Sequence, residues 1–320
     1  MPFFDLASLT KPLVTAPLAL QHLDLDQDRR EQLGFRDRIE PLTVRQLLSH
    51  SAGLPAWLPY TGEPLATQLR RGLPQSAHPL FCQGRPGTSL YSDLGYRLLA
   101  ELLEQELGEP FATLGQRLTG LSPAPWGQCP MGIPDGPDAA AWILAEPSSA
   151  FPERAENLPH DANARAGMTG HAGFGATGDQ LRAWLHNWLE AGFPTRMAVE
   201  TAWAEDGAIW GLGLHRVFDG EGRFGQVLNQ LPNRFSGVHV VEDTRFQSPP
   251  ELPPLSSASG SPTEFWMHLA YTGPALFVRP TDGFCLCLLL HRQGPEGQML
   301  SMETLRARRW EVLMEFLARI

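Results

Sequence analysis

The sequence predicts an α/β protein of two lobes: a largely helical middle, then an antiparallel sheet carrying the last helix, with a cleft between the lobes. Three patterns support this. Leu94, Leu98, Leu99, Leu102, Leu103 and Leu107 recur at helical spacing, as do Leu181, Trp184, Leu185, Trp188 and Leu189. Beyond residue 208 the texture changes to short apolar runs bounded by turn residues, as strands with tight connections require. Leu305, Val312, Leu313, Phe316 and Leu317 then return to helical spacing as the inner face of a closing helix. The chain is read as one module over 1–320, with a mostly helical lobe at 21–190 and an α/β lobe formed by 1–20 and 191–320.

Taken in order, Leu9, Leu13, Ala16 and Leu20 mark a first helix from Ser8, with Pro12 tolerated in its first turn and Pro17 predicting a kink. Thr43 and Gln46 match a capping box ahead of Leu47 and Leu48, so a short helix should end before Ser51-Ala52-Gly53. The next helix runs from Asp93, and Gly108 stands where a helix C-terminal glycine belongs. Residues 119–160, rich in Pro, Gly, Ala and Asp, read as a long irregular surface connection. Gly173 to Gly178 fits G-x-G-x-x-G, but nothing strand-like precedes it, so a turn is favoured over a dinucleotide site. Asp179 is the expected N-cap of the following helix. Strands are expected at 209–218, 265–271, 275–278 and 284–291, and a Pro- and Ser-rich surface loop at 248–263.

Composition narrows the function. The 320 residues are 42% hydrophobic and carry a net charge of −10, which supplies no basic footprint for nucleic acid. No apolar run reaches the length of a membrane span, and Met1-Pro2-Phe3-Phe4-Asp5 is not a signal peptide; the expectation is a cytoplasmic protein as written, or an exported one if the true start lies upstream. Cys285 and Cys287 alternate along an apolar run and read as free buried thiols. Among the 25 Lys and Arg residues every one is arginine except Lys11. Arginine does not give up its proton, whereas a desolvated lysine can, so the sole lysine is a candidate base.

Ser8-Leu9-Thr10-Lys11 sets a hydroxyl and that amine one helical turn apart, within hydrogen-bonding reach. A serine at a helix start also feels the positive end of the dipole, and its N–H can face a developing oxyanion. His160, Asp161 and His171 could be imagined as a metal cluster, but their separation favours loop hydrogen bonds, so no metal and no cofactor are expected.

Phe4-Asp5-Leu6-Ala7-Ser8-Leu9-Thr10-Lys11 resembles the nucleophile segment of the serine β-lactamase and penicillin-binding-protein family that includes class C β-lactamases and related esterases. The resemblance continues through the segment from Leu42 to Pro55, Tyr91-Ser92-Asp93-Leu94-Gly95-Tyr96, His160-Asp161-Ala162-Asn163-Ala164 and Gly170-His171-Ala172-Gly173, so it spans nearly the whole chain. It implies a β-lactamase/transpeptidase-like fold and a small-molecule substrate: an ester, a β-lactam or a D-amino peptide. Ser8 would be the acylated nucleophile, Lys11 its base, and Tyr91, its pKa lowered by the amine, a proton carrier. Asp93 stands where many members have asparagine and, with His268 and Tyr271, is implied to bind substrate. Tyr271 would supply the second oxyanion N–H. The third motif, usually Lys or His followed by Thr-Gly, falls on His268-Leu269-Ala270, a departure that weakens recognition of a substrate carboxylate.

That departure keeps a rival open, a non-catalytic relative that binds a peptidoglycan-like ligand or a protein partner. A second departure is the start. In the family the nucleophile segment follows a stretch that adds a helix and strands to the sheet, whereas seven residues precede Ser8 here. The expectation is an N-terminally truncated fold with a narrow sheet and an unpaired edge, covered by self-association unless the protein begins upstream.

Overall fold

A computed structural model describes residues 2–36, 40–58, 65–70, 87–126, 159–167, 169–216, 228, 236–244, 265–292 and 300–319. Strand β1 (Phe3–Asp5) leads into the segment that carries Ser8 and Lys11, whose winding is set by its prolines. Ala7–Leu9 is a 3-10 turn, Lys11–Thr15 is wound as a π-helix, and α1 (Ala16–His22) is regular. The expected kink is thus a change of winding: the Ala16 N–H reaches back to the Lys11 carbonyl, and Pro17 sits in the first turn of α1. The Leu13 carbonyl, which loses its α-helical donor to Pro17, instead accepts the Trp184 indole N–H at 2.9 Å.

The helical body contains α2 (Val44–Leu48), α3 (Leu65–Arg70), α4 (Asp93–Leu107) and α5 (Phe111–Thr119), with a two-residue strand β2 (Thr88–Ser89) just ahead of Tyr91. The Thr43–Gln46 capping box is present at α2, and Gly108 closes α4. The leucine stripe of α4 is buried, with Leu98, Leu99, Leu102 and Leu103 packed against α1, α2 and α5. Each such side chain contributes about 1.5–3 kcal/mol when removed from water, so this helix is the rigid floor on which Tyr91 and Asp93 stand.

The glycine-rich stretch corrects the sequence reading. Strand β3 (Ser122–Pro123), the short α6 (Ala162–Arg165) and β4 (Phe174–Thr177) precede α7 (Gly178–Glu190), so Gly173 to Gly178 is mostly a strand and not a turn. β4 is the centre of a three-stranded sheet, antiparallel to β1 and β3. Its glycines answer to neighbours: a Cβ on Gly175 would lie 2.5 Å from the Phe3 ring, and one on Gly178 would lie 1.8 Å from the Glu242 carboxylate. The N-cap of α7 is also not Asp179 but Thr177, whose hydroxyl accepts the Gln180 N–H in a capping box. Asp179, one position inside the first turn, pairs with Arg182.

After α8 (Phe193–Met197) come β5 (Ala202–Ala204), β6 (Ile209–Trp210), β7 (His215–Arg216), β8 (Gly237–Glu242), β9 (Trp266–Leu269), β10 (Ala275–Arg279) and β11 (Phe284–Leu289), then the final helix α9 (Met302–Arg319). The expected strand at 209–218 is thus split into β6 and β7. The main sheet has eight strands in the order β2-β5-β6-β7-β9-β10-β11-β8. It is mixed, not antiparallel throughout, because β8 runs parallel to β11 and β2 parallel to β5. This overturns the expected narrow sheet with an open edge beside β11. β8 occupies that edge over six residue pairs, with Val238, His239, Val240 and Val241 half-buried and Glu242 exposed.

Two cores flank the sheet. Leu276, Val278, Cys285, Cys287 and Leu289 face the helical body, and Phe277, Phe284, Leu286 and Leu288 face Trp310, Val312 and Leu313 of α9. Both thiols are free and buried, and burial pushes their pKa values up. A buried ion pair, Arg308 Nε to Asp243 Oδ2 at 2.9 Å, ties α9 to the residue that follows β8. Removing one partner of such a pair costs about 3–5 kcal/mol. The expected loop at 248–263 and most of the expected 119–160 connection lie outside the described residues. No described helix is long and apolar enough to cross a membrane.

Candidate active site

Ser8 sits on a strained turn. Ala7 has φ +42°, which L-residues rarely adopt, and the Asp5 carboxylate holds it there by accepting the Ala7 N–H at 2.7 Å. The second Asp5 oxygen accepts the His160 N–H at 3.0 Å, so one buried carboxylate fixes both the Ser8 turn and the loop beside it. Burial raises the Asp5 pKa, and the two N–H groups work against that rise. The Ser8 N–H has no backbone acceptor among the described residues.

Ser8 Oγ lies 3.1 Å from Lys11 Nζ and 3.0 Å from the Tyr91 hydroxyl. Lys11 is fully buried, and its Nζ also donates to the His171 carbonyl at 2.9 Å and lies 2.6 Å from Asp93 Oδ1. Three acceptors therefore surround an ammonium that has three protons. Burial opposes the charge, but Asp93 and then Tyr91 outweigh it, so the Lys11 pKa lies above the ordinary lysine value. Tyr91 departs from expectation: burial raises its pKa, Asp93 adds to that, and Lys11 does not compensate. Both shifts favour the protonated forms, an ammonium at Lys11 and a neutral phenol at Tyr91.

The Tyr91 ring is set by His50, 4.6 Å away between centroids, whose Nδ1 accepts the Ser92 N–H at 3.0 Å. His50 itself has φ +57°. Trp210 lies between His50, at 4.6 Å, and His215, at 4.8 Å. His268 is 6.0 Å from Tyr91, buried, with Nδ1 3.0 Å from the Gly213 carbonyl. Burial holds His50, His215 and His268 below the usual histidine pKa, His215 at about 4.

Asp161 and His171 bond to each other at 2.8 Å, and with Asp93 they place ligand atoms within 4.8 Å of one another. His160, named with the first two in the sequence reading, takes another role, stacking on Tyr271 at 5.6 Å. The positive charge facing Asp93 is Lys11. Burial opposes ionisation of Asp161, yet His171 and the Ala164 N–H hold its pKa well below the carboxylate range.

Tyr271 opens the turn between β9 and β10. Its side chain is 48% exposed, with His160 stacked on it and the Arg292 guanidinium 4.1 Å from its centroid. Thr272 Oγ1 donates to the Asp5 carbonyl at 3.3 Å, linking this turn to the Ser8 turn. A Cβ on Gly273 would lie 2.4 Å from the Leu290 carbonyl, so only glycine fits there. The Tyr271 N–H, like that of Ser8, has no backbone acceptor among the described residues.

Lys11 and Tyr91 thus meet at the Ser8 hydroxyl, Asp93 pairs with Lys11, His268 stands beside Tyr91, and Tyr271 is tied to the Ser8 turn through Thr272. Sequence reasoning missed the work of Asp5, His50, Arg292 and the His171 carbonyl. His50 and Asp5 lay inside segments that drew notice, but nothing in the sequence marks a left-handed φ or a backbone acceptor.

The chain belongs to the beta-lactamase family, whose model matches residues 3–309. That family is one of serine hydrolases and acyl-transfer enzymes. Solved structures share the fold. A D-amino acid amidase from Ochrobactrum anthropi is 16% identical with TM-score 0.54, over 99% of this chain and 85% of that one. A class C beta lactamase from Rhodobacter sphaeroides is 18% identical with TM-score 0.53, over 99% and 86%. A simvastatin synthase mutant from Aspergillus terreus is 17% identical with TM-score 0.54, over 99% and 85%. The chain spans 58% and 64% of the length of two SurE structures. A search of curated proteins found no match.

Proposed function

We propose that the protein is a serine hydrolase that forms an acyl-enzyme on Ser8 and cleaves small esters in preference to β-lactams or D-amino peptides. The observation that carries this is Ser8 Oγ within hydrogen-bonding distance of both Lys11 Nζ and the Tyr91 hydroxyl. Lys11 acts in its neutral form: once its ammonium has lost a proton to solvent, the amine takes the Ser8 proton as Oγ attacks the substrate carbonyl, and Asp93, 2.6 Å away, opposes this by favouring the charged form. The N–H groups of Ser8 and Tyr271 stabilise the oxyanion. Collapse breaks the bond to the leaving group, which takes the Tyr91 proton, and Lys11 returns a proton to Tyr91. Water then attacks the acyl carbon, losing a proton to the same Lys11–Tyr91 pair, which passes it to Ser8 Oγ as the acyl bond breaks, so that the acid and free Ser8 are released.

The ester preference rests on Leu269 and Ala270, which present neither the hydroxyl nor the bare backbone that a carboxylate-bearing substrate would use. The test is intact mass after exposure to a fluorophosphonate or a penicillin, with Ser8→Ala as control. One adduct, absent from the Ser8→Ala protein, is expected. A properly folded protein that takes no label from any acylating probe would favour a binding module instead.

A further inference from the structure

We infer that Arg309 is a positioning residue for the oxyanion-binding N–H of Tyr271, an inference that rests on the hydrolase reading above. Arg309 lies on α9, far in sequence from the other site residues, and is 1% exposed. Its side chain reaches the turn between β9 and β10 and donates to three of its carbonyls: Nη2 to Ala270 and, at 3.2 Å, to Pro274, and Nε to Gly273 at 2.8 Å. These carbonyls bracket Tyr271. The turn also closes on itself, with the Ala270 N–H donating to Pro274 at 2.8 Å and the Gly273 N–H to Ala270 at 3.3 Å.

A short turn leaves its carbonyls and amides few ways to point, and rotating the peptide before Tyr271 swings the Ala270 carbonyl and the Tyr271 N–H together. Arg309 holds that carbonyl, so it fixes the direction of the N–H without touching substrate. Arginine suits the place because its planar fork serves several acceptors at once and keeps its charge when buried. His160 and Arg292 on the Tyr271 ring, and Thr272 on Asp5, locate the same turn from the cleft side. The oxyanion donor is therefore held between the nucleophile strand and the last helix.

The test compares Arg309→Lys, which keeps charge and donors but loses the fork, and Arg309→Met with Leu305→Ala, a buried change on the same helix that leaves the turn alone. Amide hydrogen exchange of the peptide spanning 270–274 reads the turn, and ester kinetics read the site. Loss of one oxyanion donor lowers kcat about 100- to 1000-fold, and a loosened one is expected to lower it about tenfold at similar KM. The expected result is faster exchange and lower kcat in Arg309→Lys, with Leu305→Ala showing only a lower melting temperature. The inference is overturned if exchange is unchanged in the Arg309 variants, if exchange rises but kcat does not fall, or if Leu305→Ala loses as much kcat. A wild-type protein without ester turnover or label would defeat the hydrolase reading instead, and the exchange comparison alone would then decide whether Arg309 holds the turn.

Discussion

Replacing Asp93 by asparagine should make this protein more active near neutral pH, although it removes a charged group from the centre of the site. The carboxylate stands 2.6 Å from a buried ammonium. At an effective dielectric constant of about 20 that separation corresponds to a Coulomb attraction on the order of 6 kcal/mol, much of it opposed by desolvation of Lys11. What remains is visible in the raised Lys11 pKa. An opposite charge at this range typically moves a pKa by about 1–3 units, each worth about 1.4 kcal/mol. If turnover needs the neutral amine, the rising limb of the pH–rate profile should move down by about 1–3 units in Asp93→Asn. At a fixed pH on that limb kcat/KM should rise about 10- to 1000-fold, until the plateau is reached. The assay is kcat/KM for a chromogenic ester across pH for both proteins, with the fold checked by circular dichroism. An unmoved limb, or a loss of activity by the same factor at every pH, would refute the reasoning and make Asp93 an obligatory member of the proton path.

Lys11→Arg should be as inactive as Lys11→Ala toward the same ester, since arginine keeps the ion pair with Asp93 but cannot accept the Ser8 proton; near-normal turnover would reduce Lys11 to an electrostatic neighbour. Leu269→Thr combined with Ala270→Gly should shift the ratio of penicillin to ester cleavage upward, and efficient penicillin hydrolysis by the unaltered protein would contradict the premise. Stability should fall in acid. Burial lowers the His215 pKa from 6.5 to about 4, so the folded state favours the neutral ring. Its contribution, ~3 kcal/mol, is fully present above the unfolded value and is lost as pH falls through about 4. His50 and His268 act with the same sign. Melting temperature against pH for wild type and His215→Gln checks this, with a shallower acid decline expected in the variant.

Side-chain chemistry was legible in the sequence wherever spacing carried it. The stripe of α4, the capping box of α2 and the Ser8–Lys11 pair all depend on neighbours a turn away, and all stand where periodicity puts them. β8 went unseen because its half-buried Val and His residues alternate weakly, its Glu242 is exposed, and its partner, β11, lies far along the chain. The proton inventory was legible only in part. A lone lysine suggested a free base, but its charge state is set by Asp93, which arrives from another helix. His50 and Arg309 act through backbone atoms, and the identity of a carbonyl's owner leaves no mark on composition.

The three glycines of the G-x-G-x-x-G stretch have a consequence for reading such fingerprints. In a phosphate loop one ligand imposes all three, so they must persist as a set. Here Gly175 yields to Phe3 and Gly178 to Glu242, while Gly173 turns at φ +109°. Three unrelated obligations happen to fall at the intervals of a single one. Such a pattern has nothing to hold it together through descent: a relative with a smaller residue in place of Phe3 is free to lose the middle glycine, and one with a shorter side chain in place of Glu242 the last. The motif can dissolve one letter at a time while the strand, the helix and the site beside them stay as they are.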